Sequence, residues 1–151
     1  MKITGLMKTT LLDFPGKVAC TVFTYGCNFR CSFCHNARLV TEINPDNITE
    51  EEFFSFLSKR QGVLDGVCIS GGEPTLQKDL PGFVRRIKEM GFAVKLDTNG
   101  YEPEILQSLI DEGLLDYVAM DIKNCPERYG ATVGISGMSL AKIEESVCWL
   151  L

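Results

Sequence analysis

VACTVFTYGCNFRCSFCHN, residues 18–36, is the stretch that decides the fold and indicates the chemistry. Residues 18–25 are rich in β-branched and aromatic side chains and predict a strand. Cys27, Cys31 and Cys34 follow directly, in a tight Cys-x-x-x-Cys-x-x-Cys spacing. Because iron–sulfur clusters are usually held by four thiolates, three in one loop predict a cluster with one open iron at the end of a strand. The alternatives are cysteines that are adjacent by chance, or a non-catalytic zinc site that His35 or Cys125 completes.

Strand-like and helix-like segments alternate through the rest of the chain. Strands are predicted at residues 66–70, 93–98 and 117–122. Helices are predicted from a capping box at Thr49, over residues 80–90, around residues 105–110, and from an N-cap at Ser139. The least regular stretches, residues 39–48 and 125–137, are predicted loops. Short strand–helix links imply right-handed βαβ units, so the fold class is α/β with a parallel sheet and alternating helices.

Polar or glycine-rich segments follow each of the four predicted strands. They are the cysteine loop, GGEP at residues 71–74, DTNG at residues 97–100 and MDIK at residues 120–123. In parallel-sheet folds ligands collect at the carboxyl ends of the strands. The sequence therefore predicts that four strand ends converge on one site.

Composition excludes several classes of protein. With 151 residues, 45% of them apolar and 23% charged, the chain fits one globular domain over residues 1–151. A net charge of -5 without a basic cluster argues against nucleic acid as a partner. No segment predicts a membrane span or an apolar signal core, so we expect a cytoplasmic protein. Seven cysteines form no disulfide framework; Cys20, Cys68 and Cys148 are expected to be small core residues, with Cys125 in a loop.

Residues 26–36, GCNFRCSFCHN, resemble the cluster loop of the radical S-adenosylmethionine (radical SAM) superfamily, specifically the activating enzymes of glycyl-radical proteins. The resemblance implies that Cys27, Cys31 and Cys34 carry a 4Fe-4S cluster and that Phe33 lies near the adenine of S-adenosylmethionine. GGEP resembles the family's second motif, whose backbone and Glu side chain receive the methionyl ammonium. Glycines allow the backbone to approach a ligand closely, and a carboxylate complements an ammonium.

That second motif places Gly71, Gly72 and Glu73 in the cofactor site. For Glu73 the alternative is an ordinary strand-to-helix turn with its side chain in solvent.

Two further segments resemble motifs of activating enzymes, in which an Asp helps to hold the ammonium and a Lys meets the methionyl carboxylate. Here these residues are Asp97, Asp121 and Lys123, and the two Asp can also approach a bound monovalent cation. The alternatives are an Asx turn at Asp97 and a surface ion pair between Asp121 and Lys123. His35 is predicted to be structural rather than an acid or base.

The resemblance implies an oxidoreductase that reductively cleaves S-adenosylmethionine to methionine and a 5'-deoxyadenosyl radical. Residues 9–17, TTLLDFPGK, resemble activators of anaerobic ribonucleoside-triphosphate reductase, whose target is a glycine in a large glycyl-radical protein. The cluster then needs a strongly reducing flavodoxin-like or ferredoxin-like electron donor. A deazapurine synthase that acts on a small molecule is the same-chemistry alternative. Larger members have six strand–helix units, so the four counted here predict a partial TIM-type (β/α) barrel without the last two units.

Overall fold

The computed structural model describes residues 1–41 and 48–151. Its strands form a single five-stranded sheet in chain order. The strands are β1 (Ile3–Thr10), β2 (Ala19–Thr24), β3 (Gly66–Gly71), β4 (Ala93–Thr98) and β5 (Tyr117–Met120). The helices are α1 (Ala37–Thr41), α2 (Glu50–Ser58), α3 (Leu80–Glu89), α4 (Pro103–Asp111), α5 (Pro126–Val133) and α6 (Ala141–Leu150), and a short 3-10 turn spans Pro74–Leu76.

Four of the five strands run parallel, from β2 to β5, and each is followed by helix. This confirms the predicted α/β class and its four strand–helix units. The sheet is open, with β1 and β5 at its two edges. β1 is antiparallel to β2 and was not predicted. Its sequence, ITGLMKTT, lacks an apolar run because much of this edge strand faces solvent.

Helices α2, α3 and α4 cover one face of the sheet. Apolar side chains alternate along the parallel strands and pack in register beneath α2, α3 and α4, because successive residues of a strand point to opposite faces. These strand residues are Cys20, Val22, Val67, Ile69, Val94 and Leu96. The capping box predicted at Thr49 is confirmed: its Oγ1 accepts from the Glu52 N–H at 3.1 Å, and the Glu52 carboxylate accepts from the Thr49 N–H at 2.9 Å.

The opposite face of the sheet is more polar. Thr21, Cys68, Lys95 and Tyr117 are aligned across four strands by the register of the ladders. Phe14, from the link between β1 and β2, is 2% exposed. Its ring packs at a tilt against that of Tyr117, with the ring centroids 6.3 Å apart, at the amino end of the parallel strands. The amino end of this face is thus closed by an aromatic side chain, and the carboxyl end carries the polar segments.

Two predicted loops contain helices. α1 overlaps the stretch at residues 39–48, of which residues 42–47 lie outside the described part of the chain. α5 occupies most of the stretch at residues 125–137. It is short, begins with Pro126 and ends at Gly134, and tertiary packing of Tyr129 and Val133 stabilises it, which a local pattern does not reveal.

Three details of the predicted core and caps are resolved. α6 begins at Ala141 with Leu140 as its N-cap rather than Ser139, although the Ser139 hydroxyl still accepts from the Ala141 N–H at 3.3 Å. Cys148 is exposed, so its prediction as a core residue was wrong, whereas Cys20 and Cys68 are buried as predicted.

None of the helices described is long and apolar enough to cross a bilayer.

Candidate functional site

The carboxyl ends of β2, β3, β4 and β5 open into one cavity of about 810 Å³. This volume is typical of a small-molecule or cofactor site. The convergence that the sequence predicted is therefore present in the fold. Every predicted site residue lines this cavity: Cys27, Cys31, Phe33, Cys34, Gly71, Gly72, Glu73, Asp97, Asp121 and Lys123.

Backbone hydrogen bonds hold both ends of the cysteine loop. The N–H of Gly26 donates to the carbonyl of Leu39 at 3.0 Å, and the N–H of Cys34 donates to the carbonyl of Cys31 at 3.1 Å. The Asn36 amide donates to the Gly71 carbonyl at 3.3 Å, which ties the far end of the loop to β3. Phe33 is 53% exposed within the cavity, where an aromatic ring is free to stack on a planar ligand.

The three loop thiols share one electrostatic environment. Burial raises the pKa of Cys27, the Phe29 N–H at 3.3 Å lowers it, and the charges of Glu73, Cys31 and Cys34 raise it further. Burial likewise raises the pKa of Cys31, against the lowering effect of the Lys123 ammonium. The thiolate forms of these side chains repel one another, and bound positively charged iron would offset that repulsion.

A cluster and a single ion place different demands on the ligands. Among residues 1–41 and 48–151, no three His, Cys, Asp or Glu side chains stand close enough to hold a single metal ion. Each thiolate of a cluster binds its own iron, so the three sulfur atoms need not converge on one point.

One buried polar atom beside the thiols lacks a hydrogen-bond acceptor. Among the described residues, the amide nitrogen Nδ2 of Asn28 has no partner. Asn28 follows Cys27 directly, and its Oδ1 lies 3.7 Å from the Cys27 Sγ. Buried donors are normally paired, so this one indicates an acceptor that the protein itself does not supply. Three thiols and a spare donor fit an iron–sulfur cluster, whose sulfurs accept hydrogen bonds.

The GGEP turn lies against the backbone of the cysteine loop. A Cβ at Gly72 would sit 1.9 Å from the carbonyl oxygen of Gly26, and a Cβ at Gly71 would sit 2.3 Å from the Thr24 nitrogen. The N–H of Glu73 donates to that Gly26 carbonyl at 2.7 Å. Only glycine permits this approach, so the two motifs meet through main chain alone.

Glu73 lies at the centre of the site and is 1% exposed. Its Oε1 accepts from the Thr75 N–H at 3.1 Å, the Thr75 hydroxyl at 2.6 Å and the Thr98 hydroxyl at 2.8 Å, while Oε2 accepts from the Asn99 N–H at 2.7 Å. Burial raises the pKa of Glu73, and these donors offset part of that effect. Oε2 accepts only one of these four bonds, so it is the carboxylate oxygen with room for a further donor such as an ammonium.

Asp97 pairs with a residue that the sequence analysis did not select. Its Oδ1 forms an ion pair with the Nζ of Lys95, and its Oδ2 accepts from the Cys68 thiol at 3.5 Å. Lys95 is 7% exposed and lines the cavity. The Asx turn considered for Asp97 is instead made by Asn99, whose Oδ1 accepts from the Tyr101 N–H at 3.0 Å.

Asp121 and Lys123 form the ion pair that was the alternative to a cofactor role, with Oδ2 and Nζ 2.7 Å apart. The Asp121 side chain is 73% exposed and the Lys123 side chain is 20% exposed. Burial alone would lower the pKa of Lys123, but the Asp121 carboxylate outweighs it and the pKa lies above its ordinary value. Because both side chains line the cavity, the pair is compatible with a cofactor role.

A second, smaller hydrophobic core supports the cysteine loop from behind. Phe29 is 2% exposed, its ring lies 5.5 Å from that of Tyr101 and 6.5 Å from that of Tyr129, and Cys27 and Cys31 pack against the same cluster. The loop is therefore fixed between β4 and α5.

The sequence offered only weak signals for Lys95, Asn99 and Tyr129. Lys95 is a charged residue in a largely apolar strand and shares a face of that strand with Asp97 two positions later, which strand periodicity could have indicated. Asn99 belongs to the polar segment DTNG, and nothing in that segment indicates that its amide donates to the Oδ1 of Asn28 at 2.7 Å.

The model of the Radical SAM superfamily matches residues 21–150. This chain belongs to the radical SAM superfamily. Membership confirms the predicted family and implies its 4Fe-4S cluster and S-adenosylmethionine. The match begins in β2 and runs into α6, so it covers all four strand–helix units.

Named relatives include activating enzymes, GTP 3',8-cyclases and a deazaguanine synthase. A protein named putative glycyl-radical enzyme activating enzyme, from Methanocaldococcus jannaschii, is 41% identical over 128 residues, covering 84% of this chain and 52% of that protein. The pyruvate formate-lyase-activating enzyme of Clostridium pasteurianum is 32% identical, covering 82% of this chain and 52% of its own. A 7-carboxy-7-deazaguanine synthase from Thermococcus kodakarensis is 30% identical, covering 79% and 53%.

The chain thus spans about half the length of the curated relatives that it matches. Among solved structures, QueE from Escherichia coli superposes with a TM-score of 0.55 at 21% identity, covering 66% of this chain and 52% of that one. At this identity the superposition establishes the shared fold alone, a partial barrel of the radical SAM type.

Proposed function

We propose that this protein is a radical SAM enzyme that generates a glycyl radical on a partner protein, with anaerobic ribonucleotide reductase as the partner. The observation that carries the proposal is the cavity, where all ten residues selected from sequence meet at four strand ends. Relatives named as activating enzymes support the reaction class. When bound, the reduced cluster would supply the electron that cleaves S-adenosylmethionine.

The residues of the cavity have separate roles in this proposal. Cys27, Cys31 and Cys34 would hold the cluster, leaving one iron for the cofactor. The turn at residues 71–73 would receive the methionyl ammonium, through its backbone and the free acceptor position on Glu73 Oε2. Phe33 would stack on the adenine. Buried backbone and packed side chains hold these groups in place and exclude water, while the cofactors carry the chemistry.

The two ion pairs would serve the polar part of the cofactor. Asp97 would hold the ammonium with its partly exposed carboxylate, and Lys123 would meet the methionyl carboxylate. A monovalent cation near Asp97 and Asp121 would have to share carboxylates that already pair with lysines. Cofactor affinity measured in potassium and in a large organic cation tests that site directly.

The first experiment is anaerobic reconstitution with iron and sulfide. The proposal predicts a brown protein whose absorption bleaches on reduction, and release of methionine and 5'-deoxyadenosine from the cofactor. Cys34→Ala should abolish the cluster. Cys148→Ala is the matched control, because that thiol is exposed and does not line the cavity. A colourless protein that binds zinc, and loses it in Cys125→Ala, would instead support the non-catalytic zinc site.

The second experiment identifies the hydrogen donor. Turnover with a flavodoxin-like or ferredoxin-like donor is compared with and without an anaerobic ribonucleotide reductase, and the glycyl radical is detected by electron paramagnetic resonance. Stimulation by the partner supports the proposal. A deazapurine precursor is the second candidate, which the relative named as a deazaguanine synthase favours. Turnover of that precursor without a partner protein would replace the glycyl-radical assignment.

A further inference from the structure

The unpaired amide of Asn28, next to Cys27 in the cysteine loop, is a feature that the proposed function leaves unexplained. Its Nδ2 has less than 1 Å² of accessible surface and no partner among the described residues. A buried amide group that finds no acceptor is destabilising, and native structures rarely retain one without a reason.

The orientation of this amide is determined by its neighbours. The Tyr101 N–H donates to the Oδ1 of Asn99, so the Nδ2 of Asn99 must point the other way. That Nδ2 donates to the Oδ1 of Asn28 at 2.7 Å. If Asn28 were turned over, two NH₂ groups would face each other across this distance. Asn28 therefore accepts from Asn99 and keeps its own NH₂ free.

The free donor belongs to the residue that follows the first cluster cysteine. The Sγ of Cys27 already accepts from the Phe29 N–H at 3.3 Å and lies 3.8 Å from the Nδ2 of Asn99. Asn28 lies within the cluster loop, between Cys27 and the buried Phe29 ring. An acceptor that arrives with the metal would resolve the unpaired donor, because sulfides and thiolates accept hydrogen bonds.

We propose that the Asn28 amide donates a hydrogen bond to a sulfur atom of the cluster, and that this bond raises the cluster's reduction potential. The inference rests on the proposed cluster at Cys27, Cys31 and Cys34. Hydrogen bonds to sulfur stabilise the reduced, more negative state. Asn28 is then a positioning and tuning residue rather than a catalytic one, and Asn99 fixes its orientation.

The test is a redox titration of the reconstituted protein, followed by electron paramagnetic resonance. Asn28→Leu keeps the approximate shape and removes the donor, and Asn28→Asp keeps the acceptor for Asn99 while replacing the donor with a charge. We expect the ratio of reduced to oxidised cluster at a fixed potential to fall about threefold to tenfold in Asn28→Leu and further in Asn28→Asp, where tenfold is about 59 mV for one electron.

The matched control is Asn36→Leu, the same change in the same loop. The Nδ2 of Asn36 already donates to the Gly71 carbonyl, so its loss should leave the potential unchanged. Iron and sulfide are counted first in every variant. If wild-type protein holds no cluster, the proposed function fails, whereas a cluster with equal potential in wild type, Asn28→Leu and Asn28→Asp overturns this inference alone.

The experiment covers two further cases. If Asn28→Leu does not load iron, Asn28→Ala removes the donor without the bulk and is titrated instead. If the potential is unchanged but the affinity for S-adenosylmethionine drops, the amide serves the organic cofactor, and its assignment to the cluster is wrong.

Discussion

Replacing Gly72 by alanine should separate the GGEP turn from the cysteine loop. The new Cβ would lie 1.9 Å from the Gly26 carbonyl oxygen and 2.6 Å from its carbon, where ordinary contacts begin at 3.4 Å. Both atoms are backbone, so no rotamer change relieves the overlap. One of the two segments has to move by about 1.5 Å, in a region packed as densely as a crystal.

The magnitude follows from the bonds that this movement breaks. The Gly72 N–H donates to the Thr24 carbonyl at 3.0 Å, and the Glu73 N–H donates to the Gly26 carbonyl at 2.7 Å. Each bond contributes about 1 kcal/mol, and overpacking adds about 1–3 kcal/mol. We expect Gly72→Ala to lower the free energy of unfolding by about 3–5 kcal/mol, a large part of the 5–15 kcal/mol that holds a typical domain together.

Urea denaturation followed by circular dichroism measures this difference. Gly82→Ala is the control, since a Cβ there meets nothing within 4 Å and alanine is favoured inside a helix such as α3 by about 0.5–1 kcal/mol. The control should match or exceed wild type. If the two variants unfold at the same urea concentration, the backbone contact between the motifs does not exist as described.

Three other predictions concern the charges and the caps. Lys95→Met should lower the free energy of unfolding measured by urea denaturation by about 1–2 kcal/mol, because it leaves the partly exposed Asp97 without its cation. The pKa of Lys95 is raised in the native state, so the stability that this charge supplies should be lost only above about pH 10.5. The variant should lack this alkaline dependence. Burial alone would raise the pKa of Asp116, but the Lys88 ammonium and the Val94 N–H outweigh it and the pKa lies below its ordinary value. Asp116→Asn should therefore be less stable than wild type at pH 7, by under about 1 kcal/mol. The unfolding curves of the two proteins should converge as the pH falls below 3.8. Thr49→Ala removes the hydroxyl oxygen that accepts from the Glu52 N–H, while the Thr49 N–H can still donate to the Glu52 carboxylate, and should lower the free energy of unfolding by about 1 kcal/mol, with unchanged cofactor binding as the check that the effect is confined to α2.

The sequence allowed prediction of the four parallel strands because they carry short runs of apolar and β-branched residues, as in VACTVFTY and AVKLDT. The elements that were missed depend on distant contacts. β1 forms by pairing with β2, and α5 forms by packing the Tyr129 ring edge-to-face against Phe29 in the loop before α1. Neither carries enough local pattern to be seen alone.

The candidate site was predictable to the extent that its chemistry is concentrated in short motifs. The cysteine loop is recognisable by the spacing of its cysteines and GGEP by its four residues, and the parallel topology of the strands brings the two motifs together. The partners of these motifs were not predictable. That Glu73 would receive donors from Thr98 and Asn99 depends on the offset between β3 and β4, which no single stretch of residues encodes.

The carboxylate of Glu73 joins the end of β3 to Asn99 at the end of β4, and the Asn99 amide joins that strand end to Asn28 after β2. Energies of groups that share a hydrogen-bonded network do not add. Double substitutions among Glu73, Asn99 and Asn28 should therefore cost less than the sum of their single effects, since the first change already releases the others. We therefore expect these three residues to change together during evolution, whereas residues on the outer surfaces of the helices can change one at a time.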